Sequence, residues 1–143
     1  MTMDFFTAFN VSASGLSAQR VRMNVISSNL ANVNSTDSAD GGPYRRRDVV
    51  VSAEPAERPF DRVLNDRIQQ VQVTGVVEDP RPFRTVYDPY HPNADANGYV
   101  HYPNVNVMEE MVNMLAASRS YEANVSAVRA ATEMAESALK IGQ

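Results

Sequence analysis

The chain has 143 residues and a formal net charge of −4, and it contains no cysteine, which excludes disulfides, thiolate catalysis and iron–sulfur ligation. Positive charge is not clustered as a nucleic-acid surface requires, and no run approaches the roughly 18 apolar residues of a membrane-spanning helix. The N-terminal segment lacks the basic region and continuous apolar core of a cleaved secretory signal, so any export is expected to use another route.

Residues 3–34 are predicted to form a first amphipathic helix. Large apolar side chains recur in it at intervals of seven: Phe9, Leu16, Met23 and Leu30. Ile26 continues a second row beside them. The helix is expected to end within the polar segment 29–36, because Asn and Ser side chains compete for backbone hydrogen bonds. Asn29 and Asn32 lie on one face of the last turn, where they can cap carbonyls or bond to a neighbouring chain.

The first part of the middle region is predicted to contain two strands. A turn at residues 35–43 precedes a strand over 44–52 that starts polar, with three arginines expected to be solvated or at an interface, and ends buried. The prolines in 54–59 indicate a linker, and Phe60–Arg67 is either a short helix or irregular. A second strand is predicted over 68–77, with a bulge at Gly75.

Two shorter strands, 83–87 and 99–102, complete a small antiparallel β module. The loop between them, residues 93–98, resembles half of a calcium loop. The twelfth position of that loop would be Asn104 rather than a glutamate, so an Asx-rich turn is the favoured interpretation. His91 and His101 lack the further nitrogen or sulfur ligands of a zinc site. We therefore predict no metal, no cofactor and no catalytic residue.

The C-terminal segment from Asn106 onward is predicted to be one long helix, capped by Asn106 with Glu109 three residues later. Apolar or small residues recur along it at heptad spacing: Val107, Met111, Met114, Ser118, Tyr121, Val125, Val128, Thr132, Ala135 and Leu139. Such a helix, about 50 Å long at about 1.5 Å per residue, needs a partner to cover its stripe. The isolated monomer is therefore expected to be weakly stable, with fraying ends.

The fold class that follows is α+β. The two terminal helices pair as a coiled-coil-like bundle, and the antiparallel β module is inserted between them. The predicted domains are residues 1–36, 37–104 and 105–143.

Two strings in this sequence resemble the bacterial flagellar axial family of rod, hook and hook-associated proteins. The first runs from Ser14 to Thr36, and its most specific part is Asn29-Leu30-Ala31-Asn32. The second runs from Asp88 to Val112, and with the short length it is similar to the proximal-rod members rather than to the distal-rod or hook proteins. The resemblance implies a non-enzymatic structural subunit of the proximal rod, a hollow axial shaft that transmits torque and passes exported subunits.

The family resemblance also implies partners and a location. The partners are other copies of the chain, proximal and distal rod proteins, the rod–ring adaptor, membrane-ring components and the flagellar type III export apparatus. The location is the periplasmic rod of the basal body, reached without a cleaved signal. The residues expected to make the assembly interface are Leu16, Met23, Ile26, Asn29, Leu30, Asn32, Met111, Met114, Leu115, Tyr121, Val125 and Val128.

Three alternatives remain open on the sequence. The first is another axial rod protein of the same family. The second is a soluble coiled-coil adaptor or chaperone that never polymerises. The third is a small metal-dependent binding module built on residues 88–104.

Overall fold

The computed structural model describes residues 2–38, 41–55 and 69–141, and within these it shows two long helices flanking four strands. Helix α1 spans Thr2–Ala31 and helix α2 spans Val107–Ile141. Between them lie strands β1 (Arg47–Pro55), β2 (Gln69–Glu78), β3 (Arg84–Tyr87) and β4 (Tyr99–Tyr102). The predicted α+β class is confirmed. No helix in the described ranges is long and apolar enough to cross a membrane.

The two helices pack along each other in opposite directions. Asn29, near the end of α1, bonds to Glu110 at the start of α2, whereas Gly15 faces Asn124 farther along α2. A Cβ atom added to Gly15 would lie 2.8 Å from the Nδ2 atom of Asn124, so the glycine permits this close approach. Ala18 and Ala117 are buried in the same pairing, and their small side chains keep the helices near each other.

The face of α2 that is covered differs from the predicted stripe by one position in every heptad. Residues along the covered face are buried or half-buried: Glu110, Met114, Ala117, Tyr121, Asn124, Val128, Ala131 and Ala135. Six residues of the predicted stripe are half-buried within the chain: Met114, Ser118, Tyr121, Val125, Val128 and Ala135. Four others are exposed in the single chain, and their packing against a further helix stays a prediction: Val107, Met111, Thr132 and Leu139. The physical reason is that small and polar side chains occupy the closest contacts with α1.

Strands β1 and β2 form an antiparallel pair, with its register running from Arg47 opposite Glu78 to Pro55 opposite Gln69. Val50 lies opposite Gly75 and Val51 opposite Val73, so Thr74 is the extra residue of a bulge. The predicted bulge is present, but its extra residue is Thr74, one position before Gly75.

The limits and burial predicted for β1 were wrong. The strand starts three residues later than predicted and continues through Pro55, because a proline at the last position removes no interior ladder bond. Burial runs in the opposite sense, since Arg46 is buried whereas Val50 and Val51 are 43% and 40% exposed. The segment 60–67, predicted as a short helix or irregular, lies outside the described residues.

Strands β3 and β4 form a second antiparallel pair, from Arg84 opposite Tyr102 to Tyr87 opposite Tyr99. In the loop between them, Oδ1 of Asp95 accepts hydrogen bonds from the backbone N–H groups of Tyr99 at 2.9 Å and Asn97 at 2.8 Å. The bond from Tyr99 is the main cause that lowers the pKa of Asp95. This carboxylate therefore closes an Asx turn, as the favoured interpretation of the sequence predicted.

The start of α2 is capped as predicted. Oδ1 of Asn106 accepts hydrogen bonds from the N–H groups of Met108 at 3.0 Å and Glu109 at 3.4 Å. The carboxylate of Glu109 lies 3.6 Å from Nη1 of Arg81, in the loop after β2. The beginning of α2 is thus fixed both by its own cap and by the β module.

Candidate assembly site

Four segments meet around a group of buried and half-buried polar side chains, which we call the junction cluster: Asn29, Tyr44, Arg46, Asp79, Asn104 and Glu110. They come from the end of α1, the approach to β1, the loop after β2 and the approach to and first turn of α2. Asn29 and Glu110 are completely buried, and Arg46 is 7% exposed. Buried polar groups of this kind are tolerated when their hydrogen bonds are made within the protein.

Asn29 uses both donors and both acceptor positions of its amide. Its Nδ2 atom donates to the carbonyl oxygen of Arg47 at 2.8 Å and to Oε2 of Glu110 at 2.9 Å. Its Oδ1 atom accepts from the hydroxyl of Tyr44 at 3.0 Å and from the N–H of Arg47 at 3.0 Å. One side chain therefore holds α1 to both β1 and α2.

Arg46 and Glu110 form a buried ion pair beside Asn29. The Nε atom of Arg46 donates to Oε1 of Glu110 at 2.8 Å. Its Nη1 atom lies 3.3 Å from Oδ2 of Asp48 and 3.5 Å from Oδ2 of Asp79. Burial alone would lower the pKa of Arg46, but hydrogen bonds and charges from Glu110 and Asp48 outweigh it, so the pKa is raised. The charge is thus kept in the interior by several carboxylates.

The loop after β2 is tied to the cluster through Asp79 and Asn104. Oδ1 of Asn104 accepts from the backbone N–H of Arg46 at 2.8 Å, and Nδ2 donates to the carbonyl oxygens of Asp79 and Arg81 at 3.2 and 3.1 Å. Asp79 in turn pairs with Arg81 at 2.7 Å, and the side-chain and backbone hydrogen bonds from Arg81 lower the pKa of Asp79. These bonds join the helix pair to the β module.

Asn29 and Asn32, predicted as assembly residues, both make bonds within the chain. Nδ2 of Asn32 donates to the carbonyl oxygen of Ser28 at 2.9 Å, and its Oδ1 accepts from the hydroxyl of Ser35 at 3.1 Å. Asn32 therefore caps the end of α1 locally, whereas Asn29 reaches Glu110 across the cluster. The predicted bonding of these two residues to a neighbouring chain stays a prediction.

The remaining predicted interface residues differ in burial. Ile26 is buried. Seven others are half-buried: Leu16, Met23, Leu30, Met114, Tyr121, Val125 and Val128. Met111 and Leu115 are 55% and 54% exposed. The structure therefore divides the predicted set into side chains covered within the chain and side chains left accessible, and their role between subunits stays a prediction.

The accessible side chains belong to an apolar surface on the first turns of α2, which we call the outer patch: Met108, Met111, Val112 and Leu115. Met108 and Val112 are 69% and 64% exposed. The four positions follow the spacing i, i+3, i+4 and i+7, so they form one face about 10 Å long. Contiguous exposed apolar surface of this kind marks interaction sites in soluble proteins.

The patterns in the sequence did not distinguish Arg46, Asn104 or Glu110 as members of a site. Glu110 is one of two adjacent acids in a first helical turn, where acids are common in any helix. Arg46 is the middle of three adjacent arginines, and its partner lies 64 residues away. Only the fold reveals which acid and which arginine are buried.

Comparison with known proteins first defines the class of this protein. Residues 9–39 match the family model described as flagella basal body rod protein. Residues 96–141 match the model described as flagellar basal body rod FlgEFG protein C-terminal. The chain is therefore a flagellar basal-body rod protein, and Asn29 and Glu110 lie in the two matched segments.

Full-length relatives narrow the class to one family. The chain is 43% identical to the flagellar basal-body rod protein FlgC of Borreliella burgdorferi, covering 99% of both chains. It is 43% identical to FlgC of Bacillus subtilis, over 99% of this chain and 100% of the relative. It is 44% identical to FlgC of Aquifex aeolicus over 94% of each chain. The chain belongs to the FlgC family, which confirms the resemblance to proximal-rod members found in the sequence.

Proposed function

We propose that this chain is a structural subunit of the proximal rod of the bacterial flagellar basal body, and that it acts by assembly rather than by catalysis. The similarity to FlgC proteins over almost the whole chain is the observation that carries the proposal. Many copies would build a hollow axial shaft that transmits torque and lets exported subunits pass.

The junction cluster supports a mechanical role. A shaft subunit has to pass force from its helices to its outer module without a change of angle between them. In this chain the connection is made by buried, mutually bonded groups, with Asn29, Arg46 and Glu110 at its centre. Because buried polar groups that are fully satisfied hold one geometry, the cluster suits a stiff connection.

We propose that residues 1–36 and 105–143 form the rod core, with the module 37–104 packed outside it. The outer patch and the half-buried residues of both helices would then meet helices of neighbouring subunits. The partners are other copies, proximal and distal rod proteins, the rod–ring adaptor and membrane-ring components. The chain would reach the periplasm through the flagellar type III export apparatus, without a cleaved signal peptide.

An in-frame deletion followed by electron imaging of isolated basal bodies tests the proposal. Membrane rings without a rod, in cells that do not swim, are the expected result. A rod that starts normally and stops farther out would instead favour a distal member of the family. Complete rods and hooks would refute the proposal and favour a soluble coiled-coil adaptor.

A variant of the outer patch tests the assembly surface separately. Met111→Glu combined with Leu115→Glu places two charges on exposed positions, so the chain is expected to fold and to be expressed. It is expected to be missing from isolated basal bodies, because charges in the centre of an interface oppose association. Ala123→Glu, at an exposed position farther along the same helix, is the matched control and is expected to assemble.

A further inference from the structure

A cleft lies between α1, β1 and α2, and we call it the Arg22 cleft. It has a volume of about 240 Å³, and its lining includes Arg22, Val25, Asp48, Val49, Asn113 and Ser120. Small-molecule pockets usually measure about 300–1,000 Å³, so this space suits one or two protein side chains better than a free ligand. The lining is part apolar and part polar.

Arg22 is the one charged side chain of this cleft that has no partner in the described part of the chain. Arg46 is paired with Glu110, and Nη2 of Arg47 lies 3.6 Å from Oε1 of Glu78. Asp48 is bonded to Arg46 and to the N–H of Val49. Arg22 is half-buried, and its guanidinium has no hydrogen-bond acceptor among the described residues. A guanidinium in this position favours a carboxylate, which it can bind with two parallel hydrogen bonds.

We infer that the Arg22 cleft receives the carboxylate of Glu133 or Glu136 from α2 of a second copy of this chain. This inference rests on the proposed rod function. Both glutamates are exposed and have no ion pair among the described residues. Leu139 is 73% exposed and lies three residues after Glu136 on the same side of α2, where it provides apolar surface for the apolar part of the cleft lining.

The contact has to be made between copies because α2 is a continuous helix. The same helix lines the cleft up to Ser120, and Glu133 lies 13 residues farther on. At about 1.5 Å per residue these positions are about 20 Å apart, so Glu133 cannot fold back into the cleft of its own chain. A cleft on one copy that takes a different surface of the next copy is a heterologous contact, which repeats into a ring or an open filament.

Cysteine cross-linking tests the contact directly, since the chain has no cysteine of its own. Two differently tagged full-length copies are expressed together, one carrying Asn113→Cys at the cleft and the other Ser137→Cys, at an exposed position one turn after Glu133. Isolated basal bodies are then treated with a short bismaleimide. A cross-linked pair that carries both tags is expected. Basal bodies that contain both copies without this pair, or a cross-link from the Asn113→Cys copy to a different rod protein, would overturn the inference.

The charge requirement is tested in the same preparation. Arg22→Ala is expected to lower the cross-link yield about tenfold, as the loss of a charge-assisted hydrogen bond would. Arg20→Ala, an exposed arginine two residues away, is the matched control and is expected to leave the yield unchanged. Arg22→Glu is expected to abolish the pair, and Glu133→Arg with Glu136→Arg is expected to restore it. An unchanged yield in Arg22→Ala, or no restoration by the reversed charges, would refute the inference. Absence of every copy from basal bodies would instead refute the proposed rod function.

Discussion

Replacing Asn29 with alanine is expected to loosen the whole junction cluster. The substitution removes four hydrogen bonds made by one completely buried amide. It leaves the N–H and carbonyl groups of Arg47, the hydroxyl of Tyr44 and one oxygen of Glu110 short of a partner. A neutral hydrogen bond contributes about 0.5–1.5 kcal/mol and one to a charged group about 1.5–3 kcal/mol, so three neutral bonds and one to a carboxylate predict a loss of about 3–7 kcal/mol.

A loss of this size is a large part of the total stability of a small domain, which is typically about 5–15 kcal/mol. Urea denaturation of the purified chain, followed by far-ultraviolet circular dichroism, measures it. Asn32→Ala is the matched control, because it removes the same amide from a local cap and is expected to cost about 1 kcal/mol or less. If Asn29→Ala lost no more than Asn32→Ala, the junction cluster would not be the main connection between the helices and the β module.

Three further predictions concern neighbouring features. Glu110→Gln leaves the buried Arg46 without its paired charge and is expected to cost about 3 kcal/mol in the same assay, whereas equal stability of the variant would contradict the ion-pair assignment. The lowered pKa of Asp79 stabilises the fold above about pH 4, and this contribution is lost as the pH falls through the lowered pKa of the folded state. Acid titration of Asp79→Asn should therefore show a smaller loss of stability below pH 4 than the unaltered chain, and an identical loss would exclude this role. A Cβ atom at position 15 would lie 2.8 Å from Nδ2 of Asn124, so Gly15→Ala is expected to stabilise α1 by about 1 kcal/mol only in combination with Asn124→Ala. Thermal unfolding of the single and double variants measures this, and a gain in the single variant would show that the Asn124 amide moves aside freely.

Features with a local cause were predictable from the sequence. The cap by Asn106 depends on residues one to three positions away. The bulge depends on Gly75, because a glycine weakens the strand at its own position. The existence and approximate limits of both helices follow from their periodic apolar residues, which is the most dependable signal in a single sequence. These features need no knowledge of the partner across the fold.

Features that depend on a distant partner were not predictable in the same way. The covered face of α2 includes Glu110 and Asn124, which hydropathy assigns to the outside. Glu110 is buried because Arg46 and Asn29 satisfy it, and Asn124 is half-buried because Gly15 leaves space for it. For the same reason Val50 and Val51 of β1 are exposed, whereas Arg46, directly before the strand, is buried. The assembly surfaces depend on contacts with further chains, so the sequence of one chain could provide only candidate residues for them.

The distances along the chain between the members of the junction cluster impose an order in time. Asn29 and Arg47 are 18 residues apart, whereas Asn29 and Glu110 are 81 residues apart. Closing the longer loop costs about 1.3 kcal/mol more entropy than closing the shorter one, and it requires that Glu110 is present. A chain that emerges N-terminus first can therefore join α1 to β1 early, but it stays open until the start of α2 has followed. On the proposed export route, the bond between Asn29 and Glu110 would therefore be the last of these connections to form, after most of the chain has passed.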